Sequence, residues 1–385
     1  MSGMYEVRES GITYSPSIQN QATANKEEFI KKFKTNFTYS VLSHPNPNEL
    51  VFSLQNVDVS FANALRRIMI SEVPTVAIEI VYIDNNTSIT HDEVLSHRLG
   101  LIPLDIDPDE FEEYDSRVTG DEGTNDFNTA VFKLDVTCGS RPATRSDLDS
   151  RVLEVPPDLE AVGKDDNVAL AKDIAHKHQG RGKSTLPNRP HTRHVYARDL
   201  VWCPEGGQGT RLKRKPKVVH GDILLTKLRA NQRITLTCHA RKSTGKDHAK
   251  YSPVATASYR MKPVVGLRER VFDEDADRLA VLEPGVFKIV PCTGVAGKNR
   301  EAKVHNEYAC TMSRNFMRDP VLKEAVIISR DPRHFIFSVE TVGMMTAVEV
   351  LIKSLQVLKG KGEKLKEEIQ AVKLGREMGE SMDEE

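Results

Sequence analysis

Apolar and polar positions alternate in "NELVFSLQN" (48–56). Leu50, Phe52 and Leu54 fall on one side, and Val51, Ser53 and Gln55 on the other, which predicts a half-buried strand. The spacing then switches to that of a helix in "SFANALRRIMISEVP" (60–74), with Asp58 or Ser60 as its cap and Pro74 as its stop. "TVAIEIVYI" (75–83) is strongly β-forming. In "THDEVLSHRLGLIPL" (90–104) Thr90 and Glu93 form a capping-box pattern, which predicts a helix to about Leu99 with Gly100 just past its end. "GDILLTKL" (221–228), "QRITLTCHARK" (232–242) and "HFIFSVE" (334–340) read as strands. "GKDHAKYSPVATASYRMKP" (245–263) reads as a polar loop and then a strand with Ala255, Ala257, Tyr259 and Met261 on one face. Residues 341–358 form a second patterned helix, and 266–312 follow no single period. Residues 1–36 read as a flexible polar arm, and 105–126 as an acidic irregular stretch. Residues from 139 to about 200 read as a surface insertion, and 361–385 as a charged tail, a helix that frays after Gly360 and Gly362.

On a helical wheel Phe61, Ala64, Leu65, Ile68 and Met69 form one stripe of the first helix, with Asn63, Arg66 and Arg67 opposite and Ile70 among them. A core helix with a solvated arginine face explains this pattern. So does a helix with two partners, because guanidinium groups suit interfaces and Ile70 suits a buried second face. In the second helix Met344, Met345, Ala347, Val348, Leu351, Ile352, Leu355 and Leu358 form a stripe roughly 160° wide, against ~100° for an ordinary surface helix. Val350 and Val357 fall off that stripe, and Glu349 and Lys353 make an i,i+4 pair. Core packing accounts for such breadth, as does packing on both a sheet and a second subunit.

The 385 residues suffice for two or three domains, and the net charge of −1 gives no general attraction to nucleic acid or anionic membrane. Aromatics at 6% are too few for a base-stacking platform. Cys138, Cys203, Cys238, Cys292 and Cys310 are scattered, which argues for reduced thiols rather than a disulfide framework or zinc ribbon. With no apolar leader or bilayer-length run, the chain reads as soluble and intracellular.

Nucleotide-binding glycine motifs, His-Glu-x-x-His and Gly-x-Ser-x-Gly are absent. His176/His178 and His191/His194 lack a neighbouring cysteine pair, and Asp105, Asp107 and Asp109 lack the glycine and closing glutamate of a cation loop. Asp247 and His248 lack a nucleophile. No metal, cofactor or catalytic residue is expected. "RLKRKPK" (211–217) reads as a solvated loop, a nuclear-import signal or a phosphate contact.

"FANALRRIMISEVPTVAIEIVYIDNNTSITHDEVLSHRLGLIPL" (61–104), "GKDHAKYSPVATASYR" (245–260) and "HFIFSVETVGMMTAVEVLIKSLQVLK" (334–359) together resemble the α-like subunits of cellular RNA polymerases. "DHAKYSPVATASYR" resembles the larger α-like form shared by RNA polymerases I and III. The polymerase II form carries a zinc-binding cysteine cluster where residues 105–137 here hold no cysteine, and archaeal forms often carry iron–sulfur cysteines where only Cys292 and Cys310 remain. The resemblance implies an α+β fold, with a split dimerisation domain of a sheet and two packed helices (37–75 plus 262–360) and a mostly-β domain inserted at 76–261.

It further implies a non-catalytic assembly role in the nucleus and nucleolus, for rRNA, tRNA and 5S RNA synthesis. Phe61, Leu65, Ile68, Met69, Met345, Val348, Leu351, Ile352, Leu355 and Leu358 would meet a smaller α-like subunit. Arg66, Arg67 and Ile70 would face the second-largest subunits. Small zinc-binding polymerase subunits would be neighbours, with little direct DNA contact. The alternatives are a polymerase II third subunit, the archaeal α-like form, or a free nucleic-acid-binding protein using "RLKRKPK".

Overall fold

The computed structural model describes residues 5–8, 11–14, 26–113, 124–139, 192–292 and 298–380. The chain divides into two compact units, one of residues 1–76, 105–109 and 242–385 and one of 77–104 and 110–241.

The first unit is built on a six-stranded sheet around one long strand, Val326–Thr341. That strand pairs antiparallel with Val254–Leu267 along one side and with Glu49–Gln55 and Tyr5–Arg8 on the other. Thr38–Asn46 and Gly11–Tyr14 complete the two ends. The alternation in 48–56 is realised: Leu50, Phe52 and Leu54 are buried opposite Val339, Phe337 and Phe335. Phe52 and Phe337 stack with centroids 5.0 Å apart, and Tyr259 closes on both Phe335 and Phe337. Ser53, on the other face, is also buried, its hydroxyl 2.7 Å from that of Ser40, so burial does not leave it unpaired.

Two cores share this sheet. One lies under the helices Val59–Ser71 and Ala347–Glu380. The other gathers Val265, Val326 and Ile328 with the helix Asp273–Leu282, the hairpin Phe287–Pro291/Arg300–Val304, Phe316 and Leu322. This second core fills the stretch whose pattern followed no period, because its elements are short and its helix opens without a side-chain cap at Phe272.

Several expectations are corrected. In the arm, Tyr5–Arg8 joins the sheet through Arg330 and Ser329, and Lys26–Asn36 is a helix. A bulge between Val254 and Thr256 puts Val254 into the core beside Ala257, Tyr259 and Met261, and leaves Ala255 exposed. Residues 242–261, assigned to the insert through the family resemblance, belong to the first unit because their strand runs on the long strand. The second helix begins at Ala347, not 341, because the long strand continues to Thr341 and Gly343 turns at φ 92°. It then continues through Gly360 and Gly362 to Glu380.

The second unit holds a four-stranded sheet of Thr75–Asn86, Arg233–Ser243, Thr129–Thr137 and Val201–Cys203, with a separate ribbon of Thr192–Tyr196 and Leu224–Arg229. Its helix runs Asp92–Gly100, but the capping box does not form. His91 is the cap residue, the Thr90 hydroxyl shares a hydrogen bond with that of Thr226 at 2.7 Å, and Gly100 is the last helical residue. Among the described residues no helix is long and apolar enough to cross a membrane. Most of the insertion at 139–200, with His176, His178 and His191, lies outside the described residues.

Candidate subunit interface

The arginine helix, Val59–Ser71, starts at Asp58, whose carboxylate accepts the Ser60 amide at 2.8 Å. Hydrogen bonds from Ser60 hold the Asp58 carboxyl below its ordinary range against the opposing effect of burial. Leu65, Ile68 and Met69 are buried in the chain's own core, and Ala62 rather than Ala64 lies beside them. Phe61 is half-buried at the edge of that core. On the opposite side Asn63 Oδ1 accepts from Arg66 Nε and Nη2 at 3.2 and 2.9 Å. Arg67 is exposed, and Ile70 is half-buried against the core.

The terminal helix opens with a capping box. Thr346 Oγ1 accepts from the Glu349 amide at 3.3 Å, and the Glu349 carboxylate accepts from the Thr346 amide at 2.9 Å. Glu349 is therefore a cap residue. The Lys353 ammonium reaches Asp109 at 2.6 Å and Asp107 at 3.7 Å.

The broad stripe of this helix divides into two faces. Met344, Met345, Ala347 and Leu351 turn inward with Val350 and Ser354, and both Val350 and Ser354 are fully buried. Val350 was expected off the stripe; it turns inward because positions 347, 350, 351 and 354 share one helical face and that face is the buried one. The other flank faces solvent: Val348 is 39% exposed, Ile352 49% and Leu355 42%. Val357 and Leu358 are half-buried where the faces merge. Met345, Leu351, Leu65, Ile68 and Met69 thus serve the chain's own core, and the exposed apolar row is Val348, Ile352 and Leu355, with Leu358 half-buried further along; Phe61 is half-buried on the other helix.

Two polar features went unmarked by hydrophobic patterning. Glu72, which caps the C-terminal end of the arginine helix, meets Lys361 at 2.6 Å and Lys246 at 3.2 Å. Gly245 backs onto the same helix end so closely that a Cβ there would sit 2.7 Å from the Ile70 carbonyl oxygen. The glycine heading "GKDHAKYSP" is the signal that could have flagged this contact.

The candidates for other chemistry have structural roles. Arg211 donates to the carbonyls of Glu110 and Asp126 at 2.6 and 2.7 Å and lies 4.8 Å from the Phe127 ring centroid, so the basic run begins as internal bracing. Asp247 accepts from the Ser243 hydroxyl, and His248 Nδ1 accepts from the Lys250 amide. Among the described residues no group of acidic, histidine or cysteine side chains is placed to hold a metal, and all five cysteines are free thiols. Burial pushes the Cys238 thiol up to about 12, which makes it unreactive.

Two helices pack on the sheet of the first unit, and the longer one carries an apolar row that faces solvent. Residues 51–361 match the RNA polymerase Rpb3/Rpb11 dimerisation domain. The chain belongs to this family. The dimerisation-domain chain is 39% identical over 345 residues to the DNA-directed RNA polymerases I and III subunit RPAC1 of Saccharomyces cerevisiae, covering 89% of this chain and 90% of that one. The human protein of the same description is 37% identical, over 89% of this chain and 87% of its own length. The similarity to the Arabidopsis thaliana DNA-directed RNA polymerases II, IV and V subunit 3 is lower, 30% over 80% of this chain and 84% of that one.

Proposed function

We propose that the chain is the larger α-like subunit shared by RNA polymerases I and III, a non-catalytic subunit that assembles the enzyme. The observation that carries the reading is the uncovered row Val348, Ile352 and Leu355 on a helix of a dimerisation domain. Apolar side chains at i, i+4 and i+7 fit a helical partner, and in this reading the smaller α-like subunit covers them with Phe61 and Leu358. Leu65, Ile68, Met69, Met345 and Leu351 act behind them, by holding the two helices in place. Arg66, Arg67 and Ile70, on the other side of the arginine helix, receive the second-largest subunits. Small zinc-binding polymerase subunits join the same assembly, which works in the nucleus and nucleolus. The greater similarity to polymerase I and III subunits than to a polymerase II, IV and V subunit supports this assignment over the paralogue.

Tagged chain co-expressed with the smaller α-like subunit is expected to purify as a one-to-one complex that recruits a second-largest subunit. A chain that stays alone, or pairs only with itself, overturns the reading. The rival reading, a free nucleic-acid-binding protein, requires a steeply salt-dependent DNA affinity of the isolated chain.

A further inference from the structure

The family match ends at residue 361, yet the terminal helix continues to Glu380. Along this helix Val348, Leu351, Leu355, Leu358, Gly362, Leu365, Ile369 and Val372 succeed one another in alternating steps of three and four residues. That is the spacing of a coiled-coil seam, with Gly362 as its one non-apolar member. In the first half of the seam Leu351 is buried in the core and Leu358 is half-buried, while Val348 and Leu355 face solvent. The second half has no cover among the described residues: Leu365 is 57% exposed, Ile369 48% and Val372 58%. From Gly360 to Val372 the helix adds roughly 20 Å at 1.5 Å per residue.

We propose that residues 362–372 form a two-stranded coiled coil with a helix of the smaller α-like subunit, prolonging the heterodimer contact beyond the dimerisation domain. This rests on the heterodimer reading, because the seam is continuous with the row Val348–Leu355 assigned there to that partner. The flanks specify the partner's chemistry. Lys359 and Lys366, each one residue past a seam leucine, are exposed and put a basic edge on one side. Among the described residues Lys359 pairs with its own helix's exposed Glu363, at 3.6 Å. The partner helix therefore carries its own three–four apolar repeat and an acidic edge. A second copy of this chain fits poorly: in a parallel pair Lys361 of one copy would lie beside Lys366 of the other, and in an antiparallel pair the lysine edges would face each other. The seam repeats at 3.5 residues, so the two helices coil left-handed to keep it shared.

Two measurements on the full-length chain test this, each made alone and co-expressed with the smaller α-like subunit. The first is the maleimide labelling rate of Ile369→Cys in a background with the exposed native thiols replaced. The second is the rate at which labelled small subunit exchanges into the complex, for Leu365→Ser/Ile369→Ser against wild type. Expected are labelling at least about tenfold slower in the complex and exchange at least about tenfold faster for the double variant, with the complex still formed. Equal labelling in both states together with unchanged exchange overturns the coiled coil while leaving the heterodimer standing. Concentration-dependent protection of the isolated chain overturns it in favour of self-pairing. Failure of the wild-type heterodimer to form overturns both readings.

Discussion

The carboxylate of Glu72 and the ammonium of Lys361 meet at 2.6 Å, tying the end of the arginine helix to the terminal helix, with Lys246 on the same carboxylate. Burial pushes the Glu72 carboxyl up, but hydrogen bonds and charge from the two lysines outweigh it and hold the group below the ordinary 4.5. A carboxyl lowered in the folded state stabilises the fold above its unfolded value and loses that contribution as pH falls through its folded value. Glu72→Gln is therefore expected to lower stability at pH 7, and the gap to wild type should close as pH falls below 4.5. Urea unfolding of both proteins at several pH values checks this; a gap that is constant with pH would sink it.

Gly245→Ala should be poorly tolerated. The added methyl would meet the Ile70 carbonyl oxygen at 2.7 Å and Ser71 Cα at 2.9 Å, and both are backbone atoms of a packed helix end. Overpacking of this kind costs about 1–3 kcal/mol. A drop in the urea midpoint with an unchanged slope is the expected readout; wild-type stability would mean that the loop shifts freely.

Leucines on the two faces should behave differently. Leu65 is fully buried in the isolated chain, so Leu65→Ala is expected to cost about 2–5 kcal/mol of unfolding free energy. Leu355 is exposed there, and Leu355→Ala should cost the lone chain less than about 1 kcal/mol while weakening the heterodimer. Equal losses in unfolding experiments on the isolated chain would contradict the division of faces.

Arg66→Ala/Arg67→Ala should separate two assembly steps. Alanine preserves helix propensity, and neither guanidinium lies on the row assigned to the smaller subunit, so the heterodimer should survive. Loss of two hydrogen-bonded charges from an interface costs on the order of 2–5 kcal/mol for each truncated pair. Docking of the second-largest subunit should weaken well over tenfold. Size exclusion of the heterodimer before and after adding that subunit reads both steps. Normal docking would make the arginines a solvated face, and a broken heterodimer would put them on the wrong side.

Thr346→Ala removes half of the capping box that starts the terminal helix and should cost about 1 kcal/mol. A melting temperature equal to that of wild type would show that Glu349 alone suffices.

What the pattern of residues disclosed depended on how locally each element is determined. The strand at Leu50–Leu54 and the helix capped by Asp58 are fixed by spacing and one side chain, and both were legible. The capping box at Thr90 was not, because Thr226, far along the chain, took its hydroxyl. The direction in which the terminal helix turned was hidden for a related reason. A stripe this broad fits one surface or two, and only the burial of Ala347, Val350 and Ser354 in the folded chain assigns Val350 inward and Ile352 outward. The second core was illegible because its members, from Val265 to Ile328, are brought together by strand pairing rather than by any repeat. The extension of the helix past Gly360 went unforeseen because helix propensity favours a break there, roughly 1 kcal/mol per glycine.

The pairing of Phe52 with Phe337 has a consequence for how the chain is made. On the ribosome, segments of the first unit are made both before and after the second unit, and its central strand, Val326–Thr341, emerges after the arginine helix and the whole of the second unit. The second unit, ending at residue 241, has left the exit tunnel by then and can close by itself. Until that strand is made, the arginine helix and the strand before it wait with their apolar sides bare. A nascent chain stalled after residue 300 should therefore hold chaperones at its amino-terminal portion, and release them only once the last strand arrives.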